Sequence, residues 1–319
     1  MAGKRILITG AAGQIGSELT YALRERYGAD QVVVTDLRSD AGEALKETGP
    51  FEPLDVLDRE KIGTLVARYD VGTIYHLAAI LSAVGESNPV LAWSVNIGGL
   101  VNVLEVARET GASIFTPSSI GAFGPSTPAD MTPQVTIQRP TSMYGVTKVS
   151  GELLCDYYAD KFGVDARGVR YPGIISNVTL PGGGTTDYAV EIYYEALKSG
   201  RFASPLSAGT YMDMMYMPDA IDAAIGLMEA DPAKLNHRNA YNVTAMAFDP
   251  EEIAAEIAKH VPGFELTYED DPVRQAIADS WPDRMDDGAA REDWGWDPKY
   301  DLAAMTEDML SSLQARGIA

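Results

Sequence analysis

Two periods of apolar residues alternate through the first half of the chain. Short runs at Lys4–Thr9, Gln31–Thr35, Phe51–Leu54, Thr73–Leu77, Ala112–Thr116 and Asp165–Arg170 read as six strands. Between them, apolar residues recur every three or four positions. Ser17–Tyr27 carries Leu19, Leu23 and Tyr27 on one flank with Gly28 as its stop, and Asp58–Tyr69, Pro89–Thr110 and Ser142–Phe162 also read as helices. Strand and helix in alternation predict an α/β fold, a mostly parallel sheet flanked by helices on both faces. Gly121–Arg139, rich in Pro, Thr and Gly, is expected to loop over the sheet's carboxyl edge, where ligand contacts concentrate. From Tyr171 the texture changes: a helix opens at Asp187 and runs to Lys198, and Pro218–Glu229, Ala240–Val243, Pro250–His260 and Leu302–Leu313 are the later short elements. Two parts are expected, residues 1–170 and a smaller, discontinuous C-terminal substrate domain, residues 171–319, with segments returning to the first.

The turn after the first run reads Gly10-Ala11-Ala12-Gly13-Gln14-Ile15-Gly16, and Asp36 lies twenty residues beyond Gly16 at the end of the second run. Strand, glycine turn, helix, strand and spaced acid together predict a Rossmann-type dinucleotide site. Gly10 permits the tight turn, Gly13 lets the backbone close on a pyrophosphate, and Gly16 lets helix and strand pack. The helix N-terminus, with Gln14 and Ile15 beside it, offers N–H groups to phosphate. In Asp36-Leu37-Arg38 the acid would accept the ribose hydroxyls and repel a 2′-phosphate, which favours NAD over NADP. Arg38 is the competing feature, since a guanidinium could meet that phosphate.

Tyr144-Gly145-Val146-Thr147-Lys148 puts a phenol and an ammonium four residues apart on one helix face. A phenol is a weak base at neutral pH. A nearby ammonium, helped by the positive charge of oxidised nicotinamide, favours the phenolate. Ser119, just past the fifth run, could hold a substrate hydroxyl beside it. With NAD bound, the three residues make a site for alcohol oxidation: Tyr144 takes the hydroxyl proton as hydride leaves carbon, and Lys148 also reaches the nicotinamide ribose.

Charge and cysteine usage narrow the partners. A net charge of −21 opposes non-specific binding to nucleic acid or an anionic membrane. One cysteine, Cys155, excludes an intramolecular disulfide framework and suits a reducing, cytoplasmic compartment. The opening Met-Ala-Gly-Lys-Arg leads straight into the first strand with no room for a signal peptide, and no lipid-spanning run is expected. The three histidines, His76, His237 and His260, are scattered, so no metal site is expected. His76 at a strand end reads as packed or cofactor-adjacent. The Met/Tyr run 211–217 reads equally as pocket wall or core.

These residues resemble an extended short-chain dehydrogenase/reductase. The glycine triplet, Asp36, Asp55-Val56, His76-Leu77-Ala78-Ala79, Asn96, Ser118-Ser119, Tyr144/Lys148 and Arg170-Tyr171-Pro172-Gly173 carry the likeness. The resemblance implies that Asp55 and Val56 flank the adenine and that Leu77, Ala78 and Ala79 line the cofactor. It also implies that Tyr171, Pro172 and Ile174 pack near the nicotinamide, with Asn96 positional beneath the active site. Further along, Ile120–Gly124, Gly184–Val190, Thr210–Pro218 and Asp279–Pro282 are similar to the members of that family that oxidise L-threonine.

That likeness implies oxidation of the C3 hydroxyl of L-threonine to L-2-amino-3-oxobutyrate with NAD. It gives substrate contacts to Ser82, Thr185, Thr186 and the amides of glycines 182–184, with Trp281 as a water-excluding wall. The alternatives are a solvated loop for the threonines and a core aromatic for Trp281. Helices around Asn96–Arg108 and Ser142–Phe162 resemble a homodimer interface, and a coenzyme A-dependent lyase would consume the product. Rival readings are an NAD-dependent nucleotide-sugar epimerase or dehydratase and a catalytically silent NAD-binding protein.

Overall fold

The computed structural model describes residues 4–38, 43–178 and 184–318. Its largest sheet has six strands in the order Phe51–Pro53, Val32–Asp36, Arg5–Thr9, Val71–His76, Ser113–Phe115, Ala166–Arg167. Every pairing is parallel, with Ile6 opposite Val32 on one side and Thr73 on the other. The strand order therefore reverses between the first and fourth strands, which leaves a crevice beyond their carboxyl ends. Continuous apolar runs suit strands covered on both faces, and Leu7, Ile8, Val33, Val34 and Ile74 have no exposed surface. Each such side chain contributes roughly 1.5–3 kcal/mol on burial.

Local chemistry sets the helix starts. Asp58 caps Arg59–Tyr69 by accepting the Lys61 amide, and Ser142 caps Met143–Phe162 by accepting the Gly145 amide at 3.1 Å. The first helix, Gln14–Tyr27, begins three residues earlier than expected, on Gly13 and with no side-chain cap. Its amino end is thereby left to the crevice.

Two expectations need correction, for the long helix and for the sixth strand, and two further features stand beside them. A short helix, Ser82–Ser87, occupies the loop after the fourth strand. The long helix is interrupted: Pro89–Trp93 and Gly99–Thr110 flank a π turn at Ser94–Gly98. The expected sixth strand divides at Gly168, so that Ala166–Arg167 stays beside Ser113–Phe115 while Val169–Tyr171 joins Ser118–Ser119 and Tyr241–Asn242. There the Gly168 carbonyl accepts the Tyr241 amide at 3.0 Å, and the Thr116 carbonyl fills the space a side chain would need. Finally, Pro89–Thr110 is 22 residues long and apolar enough to cross a membrane. Its composition has a local cause, because it packs against both Arg59–Tyr69 and Met143–Phe162 and buries Ala92, Ile97, Leu100, Val103 and Leu104.

The chain falls into two units. One comprises Met1–Ala122, Ser142–Arg170 and Ile221–Tyr241; the other comprises Phe123–Thr141, Tyr171–Ala220 and Asn242–Ala319. In the second, Met212–Tyr216 lies between Gly173–Ile175, to which it is parallel, and Met246–Phe248, to which it is antiparallel. Met212, Met214 and Tyr216 join Tyr188, Ile192 and Phe248 in its core. Of the six Met/Tyr residues at 211–217, five are buried and Tyr211 is exposed.

Candidate active site

A cleft of about 330 Å³ sits at the strand-order reversal, within the first unit. Gly10 and Gly13 follow the first strand into it, Asp36, Leu37 and Arg38 the second, Asp55 and Val56 the third, and Leu77, Ala78 and Ala79 the fourth. Gly10 has φ +70°, and a Cβ there would lie 2.7 Å from the Ala78 nitrogen, so only glycine lets this turn rest on the neighbouring loop. Gly16 is equally crowded, with its missing side chain facing the Gly10 carbonyl. Asp36 Oδ2 accepts the Ala12 amide at 3.0 Å and Oδ1 the Arg38 amide at 3.1 Å. The Arg38 guanidinium folds back, with Nε 3.3 Å from Asp36 Oδ1 and Nη2 donating to the Ala12 carbonyl at 2.9 Å. It is engaged with Asp36, whose two carboxylate oxygens still have acceptor capacity for ribose hydroxyls. This donor set fits NAD.

Ser119, Tyr144 and Lys148 converge next to that cleft in the same unit. The Gly121 amide donates to Ser119 Oγ at 3.1 Å. A Cβ on Gly121 would lie 3.3 Å from Tyr144 Cδ1 and 3.5 Å from Ser119 Oγ, so the hydroxyl and the ring meet around a residue with no side chain. Lys148 Nζ stands 5.3 Å from the centre of the Tyr144 ring and donates to the Pro117 carbonyl at 2.7 Å. The phenol and the ammonium are therefore neighbours in space as well as in helical register.

Asn96 lies in the π turn and works as a bracket. Its Oδ1 accepts the Ile80 amide at 2.7 Å, while Nδ2 donates to the Ile80 carbonyl and to Thr147 Oγ1, each at 3.1 Å. It ties the loop after the fourth strand to the helix that carries Tyr144 and Lys148. The π turn re-aims side chains locally; nothing in the sequence signals it. His76 is buried, with Nδ1 2.8 Å from Thr9 Oγ1. Burial, and then the charge of Lys148, push it down to about 4, so it is neutral at physiological pH.

The remaining assignments are placed less directly. Asp55 is exposed and accepts the Leu57 amide at 2.9 Å, while Val56 is buried. The Tyr171 hydroxyl donates to the Ala220 carbonyl at 2.5 Å; Pro172 is buried and Ile174 half-buried. Ser82 opens the short helix. In the second unit Thr185 is buried, and Thr186 lies against Gly173, whose Cβ would come within 2.6 Å of Thr186 Cγ2. The Gly184 amide, expected to face a carboxylate ligand, instead donates to Asp187 Oδ2 at 2.5 Å. Gly182 and Gly183 lie outside the described residues. Trp281 packs half-buried against the second unit's apolar core. One residue escaped the sequence reading: Glu152, which is hydrogen-bonded to both Arg170 and Ser118. A Glu one helical turn beyond Lys148 was its only signal.

A parallel sheet with a dinucleotide-type cleft, Ser119 just beyond its fifth strand and Tyr144 and Lys148 on the helix Met143–Phe162 define an NAD-dependent enzyme of the extended short-chain type. The profile of the NAD dependent epimerase/dehydratase family matches residues 6–244, and the chain belongs to that family. It is 60% identical over 313 residues to an uncharacterized epimerase/dehydratase of Staphylococcus haemolyticus, covering 98% of each chain. Among solved structures it is similar to L-threonine dehydrogenase from Clostridium difficile, at 58% identity, TM-score 0.97 and 99% of each chain. It is likewise similar to L-threonine dehydrogenase from Phytophthora infestans, at 51% identity and TM-score 0.94, over 98% of this chain and 100% of that one.

Proposed function

We propose that the protein oxidises the C3 hydroxyl of L-threonine to L-2-amino-3-oxobutyrate, with NAD as acceptor. The observation that carries this reading is the likeness to the Clostridium difficile enzyme, which extends over the whole chain, second unit included. Bound NAD supplies the hydride acceptor. The amides of Gly13, Gln14 and Ile15 would hold its phosphates, on a turn that Gly10 and Gly16 make possible, and Asp36 would hold its ribose, by the chemistry of their donors and acceptors. Ser119 holds the substrate hydroxyl, its own oxygen steadied by the Gly121 amide. Tyr144 takes the hydroxyl proton, and Lys148 supplies the positive charge that favours the phenolate. Ser82, Thr185, Thr186 and Trp281 are proposed to contact the substrate.

The test is NADH absorbance with saturating NAD and L-threonine, D-threonine, L-allo-threonine, L-serine or a sugar-nucleotide panel. Reduction selective for L-threonine is expected. No signal with threonine, together with an epimerised or dehydrated sugar nucleotide, would move the chain to its family's other chemistry.

A homodimer is part of the proposal. Val146, Leu153 and Tyr157 are exposed on one face of Met143–Phe162, and Val90 and Trp93 are exposed on the neighbouring helix. A monomeric mass by light scattering at micromolar protein would count against it. The β-keto acid product calls for a coenzyme A-dependent lyase as the next enzyme, and a single buried thiol suits a cytoplasmic setting.

A further inference from the structure

Tyr144, Lys148 and Glu152 follow one another at four-residue intervals on one face of the helix Met143–Phe162. Opposite that face runs Pro117-Ser118-Ser119, and each member is held by this helix or by the turn against it. Lys148 Nζ donates to the Pro117 carbonyl at 2.7 Å, and the Ser118 hydroxyl donates to Glu152 Oε1. Ser119 Oγ meets the Gly121 amide beside the Tyr144 ring. Glu152 is itself gripped from the adjoining strand: Arg170 Nε donates to Oε1 at 3.0 Å and Nη2 to Oε2 at 2.8 Å. Both side chains are buried, 5% exposed for Glu152 and 9% for Arg170. Asn239 adds a bond from Nδ2 to the Glu152 carbonyl at 3.0 Å. A polar cavity of about 40 Å³ lies among Lys148, Glu152, Ser118 and Asn96, so Glu152 and Lys148 line one space.

We propose that Glu152, locked by Arg170, is a positioning residue that sets Ser119 and Lys148 in register with Tyr144 through the Ser118 hydroxyl. The inference rests on the reading of Ser119, Tyr144 and Lys148 as the reacting group. Ser118–Ser119 is a strand of two residues, too short for a backbone ladder to fix its register alone. A buried ion pair is often no more stabilising than well-packed apolar side chains of similar volume. Here the pair provides a directed acceptor where an apolar pair would provide none.

The experiment uses the full chain with NAD and three proteins: wild type, Ser118→Ala, and the double variant Glu152→Met/Arg170→Met. Ser118→Ala removes the tether and leaves the ion pair. The double variant removes both charges together, so neither is left buried alone. For both variants kcat is expected to fall about 10-fold or more, with KM for NAD within about twofold. The double variant is also expected to keep a wild-type melting temperature. Wild-type turnover in Ser118→Ala, or turnover in the double variant that tracks its melting temperature, would overturn the proposal. Crystal structures of the NAD complexes form a second arm that needs no substrate. Loss of the Lys148–Pro117 and Gly121–Ser119 bonds is expected in both variants, and their persistence would overturn the proposal. Should wild type fail to oxidise L-threonine, the functional reading falls while this arm still decides the positioning role.

Discussion

A methyl group on Gly121 would lie 3.3 Å from a ring carbon of Tyr144, closer than side chains ordinarily approach. The same residue's amide holds Ser119 Oγ at 3.1 Å. Gly121→Ala is therefore expected to push the phenol by a few tenths of an ångström while leaving the fold intact. Misplacement on that scale costs on the order of 10- to 100-fold in kcat. Turnover at the wild-type rate in the alanine variant would show that the ring has slack.

Tyr144→Phe removes the proposed proton acceptor and keeps the ring. General-base removal lowers rates by about 10²- to 10⁴-fold. NADH fluorescence titration is expected to give unchanged affinity, because Gly10, Asp36 and the first helix are untouched. A variant that still turned over normally would mean another group takes the proton.

Cofactor choice is proposed to rest on Asp36. Asp36→Ser removes the charge and releases the Arg38 guanidinium, now bonded to Asp36 Oδ1 and the Ala12 carbonyl. Loss of charge-assisted bonds of about 1.5–3 kcal/mol predicts a fall of roughly 10- to 100-fold in kcat/KM with NAD. NADP should lose less, or gain. Equal losses with both cofactors would show that the carboxylate does not discriminate.

Asp213 makes stability depend on pH. Its side chain has no exposed surface, and it accepts the Met285 amide at 2.8 Å and the Thr244 hydroxyl. Burial outweighs these bonds and pushes the carboxyl up to about 8. Between about pH 4 and 8 the folded chain thus holds a proton that the unfolded chain has released, so stability falls as pH rises through that window and levels off above it. Asp213→Asn should flatten this slope, matching wild type near pH 4 and melting several degrees higher near pH 9. Parallel melting curves for the two proteins across that range would contradict this account.

The parts legible in the sequence were those whose chemistry is local. Gly10 to Asp36 is one strand–turn–helix–strand unit, and Tyr144 and Lys148 are set by a single helical turn. Features that depend on distant segments stayed hidden. Glu152 and Arg170 meet across eighteen residues, and Asp213 is capped by Met285, 72 residues away. Gly168 reads as an ordinary strand residue until the carbonyl of Thr116 and the amide of Tyr241 are known to face it. The amide of Gly184 was open to a ligand on paper, but its nearest acceptor, Asp187, is only three residues on.

Cys155, finally, lies on the same helix as Tyr144 and Lys148, with no exposed surface and its thiol raised well above the ordinary range by burial. A thiol reagent can reach it only when that helix lifts from the core. Its modification rate is thus a clock for openings of the catalytic helix. Being the single cysteine, it gives the free enzyme and the NAD complex a reporter of whether bound cofactor changes how often that helix opens, with no label added in advance.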